Sequence, residues 1–151
     1  MAVLDTDLLV AFLRKKQNGD AVFAHLRKEH VELKTTVFNV AELYKGCYAM
    51  KNVAKGLNKI KSFVETMSAI LQFDDNAIQE YAKIASDLKK RGKMVGSLDE
   101  LIGSVCIANA EIIYTRNTDH FSNIDGLKVI NWHDLGEQLQ KEARNEREAR
   151  K

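Results

Sequence analysis

The chain has 151 residues, a formal net charge of +2, and 45% hydrophobic and 29% charged residues. These values are ordinary for one soluble globular domain. No run of about 18 apolar residues is present, and Asp5 and Asp7 interrupt the N-terminal apolar stretch, so we expect neither a membrane span nor a signal peptide. The small net charge does not by itself indicate an anionic partner.

The two cysteines, Cys47 and Cys106, fall on apolar faces of predicted helices and lack the spacing of metal ligands. We therefore expect reduced core thiols in a cytoplasmic protein. No repeat, proline or linker composition divides the chain. We predict one domain over residues 1–140, followed by a charged tail over residues 141–151 that is either a helical extension or frayed.

The N-terminal third predicts a strand, two helices and a second strand. The first strand ends at the carboxylate of Asp5, and the first helix covers 8–13. Cations and Gly19 close that helix. Asp20 is a candidate N-cap for the second helix, and the second strand covers about 31–35.

Thr36 is predicted to cap a third helix, whose apolar stripe runs from Val37 to Tyr48. Glu42 lies beside that stripe, and Gly46 lies one helical turn after it. Glycine costs about 1 kcal/mol in a helix interior relative to alanine. Gly46 therefore indicates a need for space beside the carboxylate, or equally a tight helix crossing.

A basic stretch without acids follows, between Leu43 and Val64. Its five lysines are Lys45, Lys51, Lys55, Lys59 and Lys61. Three of them recur at every fourth residue of a predicted helix, where like charges are mildly destabilising. This spacing fits an anionic partner or a solvated helix face. A second basic cluster covers 89–93.

The next predicted elements are a strand at 70–73 and a helix that starts at Asp74 and runs to Leu88. Ser97 and Glu100 then have the spacing of a capping box, which places Asp99 in the first turn of a further helix. That helix is expected to run to about residue 110.

The C-terminal part predicts a strand at 112–115 with a polar tip at 116–119, a last strand at 127–130 and a helix at 132–140. Five short apolar strands thus alternate with helices. This order predicts an α/β three-layer sandwich, in which helices flank a five-stranded, mostly parallel sheet. Ligands bind such sheets at the carboxyl ends of the strands.

Three acids occupy positions where an unpaired carboxylate is costly, because each lies at a strand end or beside a buried helix face. They are Asp5, Glu42 and Asp99. Gathered at one sheet edge, they would repel one another unless a cation lay between them. A hard cation with oxygen ligands, Mg²⁺ or Mn²⁺, satisfies that need and suits phosphodiester hydrolysis.

The segments 4–6, 41–46, 99–102 and 115–121 together resemble the PIN domain. The resemblance is closest to the VapC-type toxins of prokaryotic toxin–antitoxin pairs, and it covers nearly the whole chain, including 126–132. It implies a PIN-like fold and a Mg²⁺- or Mn²⁺-dependent endonuclease of single-stranded RNA (tRNA, rRNA or mRNA). It also implies a homodimer held inactive by a small antitoxin.

By position, Asp5, Glu42 and Asp99 match the three core acids of that family. The fourth family position is Asn117, and Asp119 or Asp7 could supply the missing charge nearby. The resemblance implies that all of these except Asp7 are catalytic and metal-binding residues. Thr6 and Thr115 would orient the carboxylates, and His120 is expected to be a surface or packing residue.

Three other interpretations stay open. One is an RNA-processing nuclease of the same fold without an antitoxin. Another is a phosphatase of the haloacid-dehalogenase type, because Asp5 and Asp7 have its Asp-x-Asp spacing, although Leu8, Leu9 and Val10 follow where a glycine and a hydroxyl residue are expected. The third is a non-catalytic α/β binding module.

Overall fold

A computed structural model describes residues 1–151 as five strands and eight helices. The strands are β1 Ala2–Leu4, β2 Leu33–Thr36, β3 Ala69–Leu71, β4 Ile112–Thr115 and β5 Val129–Asn131. The helices are α1 Thr6–Leu13, α2 Gly19–Lys28, α3 Val37–Cys47, α4 Val53–Val64, α5 Asp75–Lys90, α6 Ser97–Ala108, α7 Thr118–Phe121 and α8 Trp132–Ala149.

The five strands form one sheet in the order β3-β2-β1-β4-β5, and every pairing is parallel. The predicted α/β fold is therefore confirmed. The chain first builds outward from β1 to β3, then returns to place β4 on the other side of β1. Such a reversal opens a crevice between the carboxyl ends of the two strands, where ligands bind in open α/β sheets.

Helices cover both faces of the sheet because successive strand residues point to opposite sides. Ala2, Leu4 and Tyr114 join a buried cluster with α1, α2, α3, α4 and α8. Val3 and Ile113 join the cluster on the opposite face, with α5, α6 and α7. Cys47 and Cys106 are buried and unpaired, one in each cluster, as predicted.

The helix starts differ in how well the sequence predicted them. Thr36 caps α3 as predicted, with Asn39 completing a capping box. The predicted capping box of Ser97 and Glu100 is wrong, because the N-cap of α6 is Gly96 at a φ of 114°. The amide of Glu100 donates to the Gly96 carbonyl at 3.0 Å, which is the ordinary first hydrogen bond of the helix, and no side chain caps α6.

The first helix connection also differs from the prediction. Asn18, with a φ of 66°, takes the N-cap position of α2, and Asp20 lies in the first turn instead. Gly19 does not end α1 but begins α2. A Cβ at Gly19 would lie 2.6 Å from the Phe12 amide nitrogen, so the glycine permits close packing against α1.

The remaining elements shift by a few residues. α8 continues to Ala149 and its last part is fully exposed, which is the helical extension, one of the two forms predicted for the tail. The division of the chain at residue 140 stays a prediction. Among the helices, none combines the length and apolar character that a membrane crossing requires.

Candidate metal centre at the carboxyl edge of the sheet

A cavity of about 690 Å³ opens where β1 and β4 end, next to the first turns of α1 and α6. We call it the acid cavity. Five of its lining residues are acids or the amide that accompanies them: Asp5, Asp7, Glu42, Asp99 and Asn117. Four of the five residues predicted to form the site therefore share one cavity.

Asp5 follows β1 directly and caps α1, which accounts for its position at the crevice. The carboxylate is buried, with 7% of the residue exposed. Its Oδ1 accepts from the Thr6 amide at 2.8 Å and from Asn39 Nδ2 at 2.9 Å. Its Oδ2 accepts from the Thr115 hydroxyl at 2.6 Å. No cationic side chain of the protein pairs with it.

The pKa of Asp5 is raised from 3.8 to about 7, mainly by burial and then by the nearby carboxylate of Asp7. Asp99 acts in the same direction, whereas the hydrogen bonds from Thr115 and Thr6 lower the pKa. The charged form of Asp5 is thus costly in the protein alone. A cation in the cavity would remove that cost.

Glu42 enters the cavity from α3, one helical turn after the buried Asn39. Its Oε1 accepts from the Thr6 hydroxyl at 2.8 Å, and that hydroxyl accepts from Asn39 Nδ2 at 3.0 Å. Thr6 and Thr115 therefore each hold one acid, as the sequence resemblance implied.

Asn39 is a site residue that the sequence analysis missed. It is fully buried, and its side chain contacts Asp5 and Thr6 as well as the cap residue Thr36. The sequence did contain a signal, because an amide three residues after a capping threonine can close a capping box. Nothing in the local sequence indicated that the same amide reaches back to β1.

Asp99 lies in the first turn of α6, as predicted, where the helix dipole favours a negative charge. Its Oδ2 accepts from Asn117 Nδ2 at 2.8 Å and lies 2.9 Å from His120 Nδ1. The imidazole was expected to be a surface or packing residue. It is half exposed, yet it contacts the acid directly.

Asp7 is held by donors from two other parts of the chain. Its Oδ1 accepts from the Trp132 indole at 2.9 Å, and its Oδ2 accepts from the Arg116 amide at 2.9 Å. These contacts tie α1 to α8 and to the end of β4. Both oxygens of Asp7 are therefore engaged.

Asp119 is the one predicted site residue that does not line the acid cavity. It lies exposed in the first turn of α7, and only its backbone carbonyl is hydrogen-bonded, to Asn123 Nδ2 at 2.7 Å. Asn117 faces the cavity and touches Asp99. The geometry thus favours Asn117 over Asp119 as a member of the site in the acid cavity.

The donor set of the acid cavity fits a hard divalent cation. Asp5, Glu42 and Asp99 provide carboxylate oxygens, which are the ligands that Mg²⁺ and Mn²⁺ prefer. No three of these carboxylates bring their oxygens within 4.8 Å of one another. Arg14 and Lys16 line the same cavity.

A second group of potential ligands lies on the first turns of α8, formed by His133, Asp134 and Glu137. His133 Nδ1 lies 3.8 Å from Glu137 Oε1, the ordinary distance of neighbours one helical turn apart. Asp134 and Glu137 are exposed. This surface arrangement is separate from the acid cavity and needs no bound ion to explain it.

A groove of about 350 Å³ adjoins the acid cavity and shares Arg14 and Glu42 with it. Lys55 and Lys59 of α4 also line the groove, and neither has an acidic partner. A Cβ at Gly46 would meet no atom within 4 Å. A tight helix crossing at Gly46 is therefore excluded, and the glycine leaves open space in the groove.

Comparison with known proteins gives consistent results. The family model described as PIN domain matches residues 2–127. The VapC ribonuclease Y4jK of Sinorhizobium fredii is 32% identical over 137 residues, which cover 87% of this chain and 96% of that protein. The tRNA(fMet)-specific endonuclease VapC of Shigella flexneri is 24% identical over 130 residues, covering 86% and 96%.

Solved structures show the same fold. The crystal structure of FitAcB from Neisseria gonorrhoeae matches with a TM-score of 0.74 and 28% identity, covering 88% of this chain and 99% of that one. VapBC2 from Rickettsia felis, crystallised with a DNA fragment from its promoter, matches with a TM-score of 0.78 and 24% identity, covering 87% and 98%.

Proposed function

This chain belongs to the PIN domain family, and from that membership we propose that it is a metal-dependent endoribonuclease that hydrolyses single-stranded RNA. One observation carries the proposal. Three acids from β1, α3 and α6 line a single cavity at the carboxyl edge of the sheet, and the chain supplies no basic side chain that pairs with Asp5 or Glu42.

Asp5, Glu42 and Asp99 would hold Mg²⁺ or Mn²⁺, with Asn117 beside Asp99. When bound, such a cation supplies activation of a water molecule and stabilisation of negative charge on the phosphate. The chain itself contributes orientation. Thr115 fixes Asp5 through Oδ2, Thr6 fixes Glu42, and Asn117 and His120 fix Asp99.

Basic side chains support RNA as the substrate. Arg14 and Lys16 line the acid cavity, and Lys55 and Lys59 line the adjoining groove. In the second basic cluster, Arg91 is bound to Asp87 at 2.6 Å, which leaves less charge free there. We therefore propose that phosphates of the substrate meet Arg14, Lys55 and Lys59. Their contribution would weaken as salt rises.

We further propose that this protein is the toxin of a toxin–antitoxin pair. The similar VapC ribonucleases and the complexes of Rickettsia felis VapBC2 support a VapB-type antitoxin as its partner. The antitoxin would inhibit by covering the acid cavity, and the toxin would be a homodimer that acts on RNA in the cytoplasm. An RNA-processing enzyme of the same fold would lack that partner. Expression with and without a co-expressed antitoxin separates the two, because the antitoxin should relieve growth arrest caused by a toxin and should have no effect on a processing enzyme.

The phosphatase interpretation conflicts with the contacts of Asp7. In that chemistry the second acid of Asp-x-Asp must exchange a proton with the substrate. Here Trp132 and the Arg116 amide occupy both of its oxygens. A labelled phosphate on Asp5 after incubation with a phosphomonoester would reverse this conclusion.

The test of the proposed function is cleavage of single-stranded RNA by the purified protein in Mg²⁺ or in EDTA. We expect cleavage in Mg²⁺ and none in EDTA. Asp5→Asn and Asp99→Asn should each reduce the rate by more than about 100-fold, because each removes a charged ligand. Asp75→Asn, on the exposed first turn of α5, is the matched control. Undiminished cleavage by either site variant would contradict the assignment.

A non-catalytic binding module makes the opposite prediction for metal. Titration calorimetry with Mn²⁺ on the wild-type protein should give measurable heat if the acids form a metal site. No heat, together with no cleavage, would favour the binding module.

A further inference from the structure

The buried amide of Asn39 connects the cap of α3 to two acids of the proposed metal site. Its Oδ1 accepts from the Thr36 hydroxyl at 2.7 Å and from the Thr36 backbone amide at 3.3 Å. Its Nδ2 donates to Asp5 Oδ1 at 2.9 Å and to the Thr6 hydroxyl at 3.0 Å. All four hydrogen bonds of a primary amide are therefore used inside the protein.

The orientation of this amide is fixed by its partners. A backbone N–H can only donate, so the oxygen of Asn39 must face Thr36 and the nitrogen must face Asp5. Because the Thr6 hydroxyl accepts from Asn39, its single proton is left for Glu42 Oε1, at 2.8 Å. The hydrogen bonds thus run in one direction, from Thr36 through Asn39 and Thr6 to Glu42.

The same directionality decides which carboxylate oxygens are free. Asp5 Oδ1 receives two hydrogen bonds, from Thr6 and from Asn39, whereas Oδ2 receives one, from Thr115. On Glu42, Oε1 is bound to Thr6, and Oε2 receives no hydrogen bond within the protein. Asp5 Oδ2 and Glu42 Oε2 are therefore the oxygens with the fewer hydrogen bonds on each acid, and they keep lone pairs available to a cation.

We infer that Asn39 is a positioning residue that acts on Asp5 directly and on Glu42 through Thr6, so that Asp5 Oδ2 and Glu42 Oε2 are presented to a divalent cation, an inference that rests on the proposed nuclease function. Capping of α3 needs only the oxygen of its amide. The nitrogen serves the acids alone. A side chain that only capped the helix would not need the N–H donors of its amide nitrogen.

The test compares Asn39→Ala and Thr6→Val with wild type by Mn²⁺ calorimetry and by RNA cleavage. We expect each variant to bind Mn²⁺ roughly 10- to 100-fold more weakly. For cleavage, kcat should fall while KM for RNA stays within about twofold. Thr6→Ser keeps the hydroxyl and should restore wild-type affinity. The double variant should be no weaker than the worse single one, because both changes interrupt the same hydrogen-bond chain.

Leu26→Ala is the control that separates loss of stability from loss of positioning. It opens a cavity in the core away from the acids. This control should lower the melting temperature and leave Mn²⁺ affinity unchanged. Wild-type Mn²⁺ affinity in folded Asn39→Ala would overturn the inference, as would losses that multiply in the double variant. If Asn39→Ala does not fold, Thr6→Val decides, because residue 6 is only partly buried.

Failure of the proposed nuclease function can be distinguished from failure of the inference about Asn39. If the wild-type protein neither cleaves RNA nor binds Mn²⁺, the proposed function is wrong. The NMR signals of the Asn39 side-chain amide then test the hydrogen bonds alone. Thr6→Val should shift one of its two protons, and an unchanged pair of signals would overturn the contact to Thr6.

Discussion

Two buried carboxylates lie at opposite ends of the sheet, and the protein treats them differently. Glu111, which precedes β4 at the amino edge, is 5% exposed and meets Lys34 at 2.7 Å. The hydrogen bond to Glu111 raises the pKa of that lysine. Asp5, which follows β1 at the carboxyl edge, is 7% exposed and has no such cation. Its neighbours are Asp7 and Asp99, which raise its own pKa further.

The contrast separates a structural acid from a candidate ligand. A buried charge is tolerated when a counter-charge is close. At the amino edge the chain provides that counter-charge itself. At the carboxyl edge it provides hydroxyl and amide donors, which orient the acid without neutralising it. The difference supports an external cation at the carboxyl edge only.

The largest effect on stability is expected from breaking the pair at the amino edge. Lys34→Met leaves Glu111 buried without a partner and should lower the free energy of unfolding by about 3–5 kcal/mol. Urea unfolding measures this change. The double variant Lys34→Met, Glu111→Leu should recover most of it. RNA cleavage by the folded single variant should stay at the wild-type rate, and a loss of cleavage there would remove the contrast between the two edges.

Binding of a divalent cation at the carboxyl edge should stabilise the protein by a similar but smaller amount. Mn²⁺ at 100 times its dissociation constant contributes about 2.7 kcal/mol, which raises the melting temperature by roughly 5 to 10 °C. Thermal unfolding with and without Mn²⁺ measures the shift. Asp5→Asn should show little or none of it. An equal rise in that variant would mean that the ion binds elsewhere.

The pH dependence of the stability of the metal-free protein gives a further test of the difference between Asp5 and Glu111. The pKa of Asp5 is about 7 in the folded chain, against 3.8 as the ordinary value. The raised pKa means that the contribution of Asp5 to stability is present in full below pH 3.8 and is lost as pH rises through about 7.

Asp5→Asn in EDTA should therefore be more stable than wild type at alkaline pH, by about 1–3 kcal/mol, with the gain disappearing towards acidic pH. Urea midpoints across that range measure it. In the variant, Thr115 can turn its hydroxyl to accept from the new amide, so no hydrogen bond need be lost. A gain that does not depend on pH would show that the charge is not its cause.

The smallest effect is expected from the exposed acid next to the site. Asp119→Asn should change the cleavage rate by less than about twofold, since surface substitutions away from partners have small effects. Asn117→Ala, which removes the donor to Asp99, should reduce cleavage by about 10-fold or more. Comparing the two variants at equal Mg²⁺ decides which residue completes the metal site. A larger loss in Asp119→Asn would reverse the choice made from geometry.

Local sequence patterns predicted the fold well because each strand and helix carries its own periodicity. The cap of Thr36 and the first-turn position of Asp99 were predicted for the same reason. The N-cap of α6 was not, because Gly96, which has no side chain, takes that position. A helix start without a side-chain cap leaves no capping residue in the sequence to recognise.

The contacts that complete the site could not be predicted, because they join residues far apart in the chain. The indole of Trp132 reaches Asp7 across 125 positions, and the Thr115 hydroxyl reaches Asp5 across 110. His120 contacts Asp99 only because α7 turns back towards α6. Asn39 has the sequence context of an ordinary helix residue, and only the fold places it beside Asp5 and Thr6.

The pairing of β1 with β4 also means that the acid site cannot be complete until most of the chain has been made. Asp5 leaves the ribosome early, but its partner Thr115 and the strand that seats it follow about a hundred residues later. Contacts of such long sequence separation form late in folding. A nascent chain that ends before β4 therefore carries Asp5, Glu42 and Asp99 without the strand that brings them together. An active nuclease would thus form only once nearly the whole domain had been made.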